Sequence, residues 1–329
     1  MAAPGFGHGS YVSIGRESAW GTGVTVTRRF RVVSSDIQGV RGKIPSDAIT
    51  DSIVRKSWFS GPQRAQGKIE LEADYEGQLH LWDAVMGTGT FGSNGGSVSG
   101  AGPYTWAFIN KSLANSYTIE EIAGSIPTGK ANKVTGAKFK SLSLSGAGGQ
   151  DAKPLRLSLE FVGKDYATNV SPSASPSPNS PLPIMFHHID TANSDSGTGD
   201  AAGSERFRAF ELTINNNLAE DRWYGADTID EPLRDDYAQV QFKWTMEFAT
   251  KTAIDEYIAS SITNQGVFFK LASGTKSISF AANNGLIVTP VGRPVDRWGI
   301  LTQQFTTEMT DDGTTGLTVT IINSEASLT

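Results

Sequence analysis

Polar and apolar residues alternate with a period of two through most of the chain. The stretch KIELE at 68–72 places Ile69 and Leu71 on one side and Lys68, Glu70 and Glu72 on the other, the pattern of a strand with one buried face. It recurs at 141–145, 156–161, 210–214, 242–248 and 317–321. Only 76–86 and 251–262 carry apolar residues at three- and four-residue spacings, and each follows an alternating strand directly. The pattern predicts a mainly β chain with two short helices.

The strand–helix unit repeats. A shift of 175 positions lays Lys68 on Lys243, Ile69 on Trp244, Leu71 on Met246, Glu72 on Glu247, Leu79 on Ile254 and Trp82 on Tyr257. Upstream, at a shift of 177, Arg29-Phe-Arg31 falls on Arg206-Phe-Arg208. Polar meets polar and apolar meets apolar, so a β domain duplicated within the chain is expected. A Ser/Pro tract at 171–183 separates the two units, and proline there removes backbone donors and fixes φ, as in a connector. The expected organisation is an N-terminal arm over 1–25, a first β domain over 26–168, a connector over 169–205 and a second β domain over 206–329.

Each unit also holds a long polar segment between its opening strand and its strand–helix unit, 39–66 in one and 217–237 in the other. Unstructured connections of that length are uncommon unless they bind something. Trp58 and Phe59 stand among charges in the first, Trp223 and Tyr224 in the second. Exposed loop aromatics are typical contact anchors.

Charge and composition narrow the function. The 329 residues hold 28 Lys and Arg against 34 Asp and Glu, a net charge of -6, which argues against a broad basic face for nucleic acid. The chain has no Cys, which excludes disulfides, thiolate metal sites and cysteine nucleophiles and fits a reducing cytosol. The opening MAAPGFGHGS has no basic or apolar leader region, and no run of 18 apolar residues occurs, so neither export by a signal peptide nor a membrane span is expected.

No catalytic constellation emerges. His8, His80, His187 and His188 lack the spacing that puts two ligands on one helical face, and the adjacent His187 and His188 would point to opposite sides of a strand. The sequence from Gly124 to Ala131 fits GxxxxGK but ends in Ala131 where a hydroxyl is required, with no helix after it. The GxGxxG match from Gly87 to Gly92 follows a helix instead of opening one, so Gly87 reads as a helix cap. Asp235-Asp236 and Asp311-Asp312 sit in turn-like sequence. No cofactor, metal or enzymatic activity is expected.

The segment YVSIGRESAWGT at 11–22, followed by a strand from Arg29, resembles the tail tube (major tail) proteins of siphophages, bacteriophages with long, non-contractile tails. The order of later elements resembles that family too: the loop through Lys56-Ser-Trp58, the strand over 67–72, the helix ending at Ala84-Val-Met-Gly87, and the segments 104–108, 116–120 and 134–138. The likeness covers residues 10 to 165, and the second half only through the repeat. It implies a β-sandwich or rolled β domain with a short flanking helix. Subunits of this kind join edge to edge into rings, which stack into a hollow virion tube for genome delivery. The implied partners are further copies of the chain, the tape measure protein, and the tail terminator and distal tail proteins, with DNA passing through unbound.

Two units per chain favour three chains in a ring with pseudo-six-fold geometry. Acidic residues would line a channel that must not hold phosphates. If one sheet face lines it, the candidates are Glu70, Glu72, Thr245 and Glu247, beside Lys68 and Lys243. Trp20 in the arm, Trp58, Phe59, Trp223 and Tyr224 are the candidates for contacts between rings. The alternative from another class is a carbohydrate- or cell-binding β-sandwich of the virion; a secretion-tube protein would be similar in fold but shorter.

Overall fold

The computed structural model describes residues 10–46, 58–87, 90–91, 103–109, 115–122, 129–149, 153–176, 181–193, 207–220, 222–223, 225–247, 266–282, 284–287, 302–310 and 316–326. The predicted helix over 251–262, Tyr224, Asp311 and Asp312 lie outside them.

The first strands are β1 (Tyr11–Arg16), β2 (Arg28–Pro45) and β3 (Trp58–Glu72), followed by helix α1 (Leu79–Met86). Then come β4 (Thr90–Phe91), β5 (Tyr104–Ile109), β6 (Tyr117–Ile122), β7 (Ala131–Ala147), β8 (Arg156–Gly163) and β9 (Asp165–Val170). The remainder of the chain supplies β10 (Ile189–Asn193), β11 (Phe207–Asn215), β12 (Gln239–Glu247), β13 (Val267–Ser273), β14 (Lys276–Ala282), β15 (Gly285–Ile287), β16 (Thr302–Met309) and β17 (Thr318–Asn323). The expected mainly β fold is present, with two antiparallel sheets and one helix among the described residues.

Strands β1, β2, β3, β8, β7 and β6 pair in a closed circuit, so this part of the chain is a rolled barrel. Its inward register is apolar: Val32 faces Leu71, Leu71 faces Leu157, and Leu157 faces Leu144. The long strand β7 changes partner along one edge. Its first part pairs with β6, its last part with β11, where Leu144 meets Leu212. The sheet therefore runs on without a break as β2-β3-β8-β7-β11-β12-β16-β15. The second sheet, β10-β13-β14-β17-β5-β4, also mixes early and late chain, because β5 pairs with β17 with Trp106 opposite Ile321.

The core lies between these layers. Phe210 and Phe242 of the large sheet pack on Phe269 of the second at centroid distances of 4.5 and 5.8 Å, the interdigitation expected of a sandwich. Helix α1 is buried along its whole length, with Trp82 against Phe280. It begins three residues later than the periodicity predicts, because side chains organise the preceding turn. Asp74 accepts from the Glu76 N–H, and Gln78 accepts from the Asp74 N–H while donating to the Glu72 carbonyl. Gly87 caps the helix at φ 91°, its N–H bonded to the Asp83 carbonyl, as expected.

Inside α1, Asp83 accepts hydrogen bonds from Tyr117 and Asn115. His80 is buried with neither ring nitrogen hydrogen-bonded. Burial, and then the nearby Arg28 and Arg16, lower its pKa to about 4.

Two expectations are corrected. The described parts of the polar segment 39–66 are not loop: over 39–45 and 58–66, β2 and β3 continue as paired strands out to Pro45 opposite Trp58. Toward its end, over 38–45 and 58–60, the hairpin has no buried residue, so its sequence there has no period to read. His187 and His188 lie in a 3-10 turn, Phe186–His188, with their rings edge to face at 4.6 Å, not on a strand. The connector is built into the fold at both ends. Ser173 bonds to Val26 and Glu120. Residues 182–185 run between the end of β3 and the start of β8, with Ile184 buried.

Candidate functional site

Register places the six residues expected to line a channel on one face of one sheet. Lys68 lies opposite Asp36 and Glu160, Glu70 opposite Ser34 and Ser158, and Glu72 opposite Arg156. Arg156 faces Ser145, Ser145 faces Glu211, Glu211 faces Lys243, and Lys243 faces Thr306. One row down, Ala147 faces Ala209, Ala209 faces Thr245, and Thr245 faces Gln304. Glu247 is opposite Thr302. Directly opposed residues share a face, so the period-2 polar positions of all these strands form one polar surface. It is hollowed over the small residues Ser145, Ala147 and Ala209 by a cavity of about 780 Å³.

Carboxylates outnumber cations on this surface, and each cation named here is held by a carboxylate. Lys68 pairs with Glu70 at 2.7 Å, Arg208 with Glu247 at 2.9 Å, Lys140 with Glu160 at 3.5 Å, Arg156 with Glu72 at 3.8 Å and Lys243 with Glu211 at 3.9 Å. The hydrogen bond between Lys68 and Glu70 raises the lysine pKa and lowers that of the glutamate. Such solvated pairs add only about 0–1 kcal/mol each to stability. Their effect is on the field: Lys68, Lys140, Arg156, Arg208 and Lys243 each stand beside a carboxylate that offsets their charge.

The β2–β3 hairpin rises from one end of this sheet as an arm. Ile44, Trp58 and Phe59 near its end are 52, 60 and 59 % exposed. At its base a strap formed by 217–237 holds it. The Gln63 N–H donates to the Asp227 carbonyl, the Ile229 N–H donates to the Gln63 carbonyl, and Ile229 is buried. Glu220 pairs with Arg64 at 3.4 Å and with Lys140 at 3.2 Å, and Glu231 with the buried Lys138 at 2.5 Å. Within the strap Trp223 is half-buried, while Leu233 and Tyr237 are exposed.

Trp20 is used inside the protomer. Its indole donates to the Gly136 carbonyl at 3.0 Å, and Lys164 lies 4.9 Å from the ring. The reason is Glu17, whose buried carboxylate accepts from Gly21 N–H, Ser116 Oγ, Thr118 Oγ1 and Gly136 N–H at 2.7–2.9 Å. Gly21 and Gly136, at φ 72° and 67°, let the turn close on β7, and a Cβ on Gly136 would stand 3.0 Å from the Trp20 Nε1. The opening motif is thus a clasp between β1, β6 and β7. The sequence marks Trp20 within the motif but not the buried role of Glu17, whose partners Ser116, Thr118 and Gly136 lie about a hundred residues away.

Among the described residues no group of three or more His, Asp or Glu is placed to hold a metal ion, and no helix is long and apolar enough to cross a membrane. Residues 129–130 form a turn running straight into β7, so the phosphate-loop look-alike has no helix at its end. The surfaces with functional character are an acidic sheet face and a projecting arm. A family model described as phage tail tube protein matches residues 7–321. No curated protein matches the chain.

Proposed function

We propose that this chain, which belongs to the phage tail tube protein family, closes with two copies of itself into three-chain rings, and that the rings stack into the hollow tail tube of the virion for genome delivery. The observation that carries the reading is the unbroken sheet with one polar, net acidic face. A conduit for DNA needs a wall without free cations, because each unpaired lysine or arginine would bind phosphate. Glu70, Glu72, Thr245 and Glu247 face the lumen in this reading, with Lys68 and Lys243 neutralised beside them.

Sheet width supports three chains over six. Eight strands at ~4.8 Å spacing span ~38 Å, so three chains give a wall ~115 Å around and a backbone diameter of ~37 Å before strand tilt widens it. That leaves room for a duplex once side chains are added, whereas six chains would double the diameter. Ring closure joins sheet edges that would be a liability in a monomer. The arm and the strap make the axial contacts, and the tape measure, terminator and distal tail proteins meet the tube inside and at its ends. The matching faces of Lys68 with Lys243 and of Ile69 with Trp244 support a duplicated chain. Native mass spectrometry of isolated rings tests the stoichiometry: three chain masses per ring support the reading, and six refute the three-chain wall.

A further inference from the structure

We propose that the hollow in the polar face is a binding site for a phosphate group. It opens at the end of the sheet away from the arm. There Ser145 and Arg156 form the last pair of the β7–β8 ladder, and Arg156 lies opposite Glu72, the last residue of β3. Lys153 stands exposed just before β8. The cavity of about 780 Å³ is lined by three cations, Lys153, Arg156 and Lys243, and by one carboxylate, Glu211. Cations are in excess here, although carboxylates outnumber them on the face as a whole.

The cations of the hollow hold their partners loosely. Elsewhere on the face Lys68 and Arg208 meet their glutamates at 2.7 and 2.9 Å, within hydrogen-bond reach. Arg156 stands 3.8 Å from Glu72, and Lys243 stands 3.9 Å from Glu211. Contacts that long are ion pairs without a hydrogen bond, so both cations keep donors to offer. The Arg156 Nη1 is buried with no hydrogen bond at all, and a buried donor gains most from an acceptor. Lys153 makes no hydrogen bond or ion pair among the described residues.

This lining suits phosphate. A guanidinium presents a planar fork that matches phosphate oxygens, and two ammoniums add point charges on flexible stems. Ser145, Thr245 and Gln304 border the same space and supply neutral donors. Behind the lining, Leu155 and Phe186 fill the places where a Cβ on Gly146 or Gly148 would stand, 2.0 and 2.8 Å from them. No large side chain fills the hollow from that side. Its volume falls within the ~300–1,000 Å³ of pockets that take small organic ligands, which leaves room for the sugar that carries a phosphate. With Glu72 set against Arg156 and Glu211 against Lys243, the surplus charge is that of Lys153, equal to the charge of a single phosphodiester. Such a contact is weak and salt-labile, so a strand can rest there without being held.

Calorimetric titration of the dilute full chain tests the site, with inorganic phosphate in one series and a short oligothymidylate in another, both at constant low ionic strength. The tube reading suggests the second probe, but binding to the unassembled chain is independent of it. Saturable binding is expected, and the tighter probe identifies the source as free phosphate or a nucleic acid strand. Lys153→Gln should weaken binding by ~10-fold, the effect of losing one charge-assisted hydrogen bond. Glu211→Gln should tighten it several-fold by removing the competing carboxylate. Lys43→Gln, an equal change of charge on the exposed arm, should leave it unaltered. Absence of saturable binding by either probe would overturn the proposal, as would equal weakening by Lys153→Gln and Lys43→Gln.

Discussion

Ser145 lies directly opposite Glu211 in the β7–β11 ladder, and through that ladder a strand from the first half of the chain joins one from the second. Beneath it, Leu144 and Leu212 meet in the core. Because β5 and β17 join the halves again in the second sheet, the chain should unfold as one unit. The full chain is expected to show a single urea transition, and fragments 26–168 and 206–329 made separately should show none. Leu212→Ala should lower the stability of the whole chain by about 2–5 kcal/mol. Two separated transitions would contradict this.

Glu17 is expected to matter for folding and not for chemistry. Glu17→Ala leaves the Gly21 and Gly136 N–H groups and the hydroxyls of Ser116 and Thr118 without their acceptor. Each buried donor left unmade costs about 1–3 kcal/mol unless water reaches it. The urea midpoint should fall by several kcal/mol equivalent, with Trp20 fluorescence shifting toward that of solvent. A variant of wild-type stability would show that the clasp is dispensable.

His80 gives a pH dependence with a defined sign. Its folded pKa is lowered to about 4 from 6.5, so between those values the unfolded chain holds a proton that the folded chain does not. Stability therefore falls as pH drops from about 6.5 to about 4, by up to about 3 kcal/mol, and is untouched by this group above that window. His80→Phe removes the effect. Titrations of groups common to both proteins cancel in the difference, so the stability of wild type relative to the variant should decline across that window. A flat difference from pH 7 to pH 4 would contradict the buried, unbonded imidazole.

Much of this was legible in the sequence, and the exceptions have physical causes. Ile69, Leu71, Leu212 and Phe242 mark their strands because one face of each is buried, and parity alone put Lys68, Glu70 and Glu72 on the polar side. Parity says nothing about which strands become neighbours, so the union of Glu72 and Lys243 in one row depended on long-range pairing through Arg156, Ser145 and Glu211. The end of the arm was unreadable because none of residues 38–45 is buried on either face. The bond from Trp20 to Gly136 was unreadable because the two residues lie more than a hundred positions apart.

The paired charges of the polar face predict what their removal does. Glu70→Gln, Glu72→Gln and Glu247→Gln together remove the ion-pair partners of Lys68, Arg156 and Arg208. Tubes of the triple variant should still form. They should retain duplex DNA at low salt and release it as salt rises, and particles carrying them should eject DNA more slowly. Unchanged DNA retention and ejection would remove this face from the lumen.

The most direct test of the whole account is electron microscopy of the purified protein as its concentration is raised, with rotational averaging of end-on views. Hollow tubes are predicted, with six-lobed rings modulated three-fold and a channel wide enough for duplex DNA. Compact particles at every concentration would contradict self-assembly through these surfaces and favour the carbohydrate- or cell-binding reading.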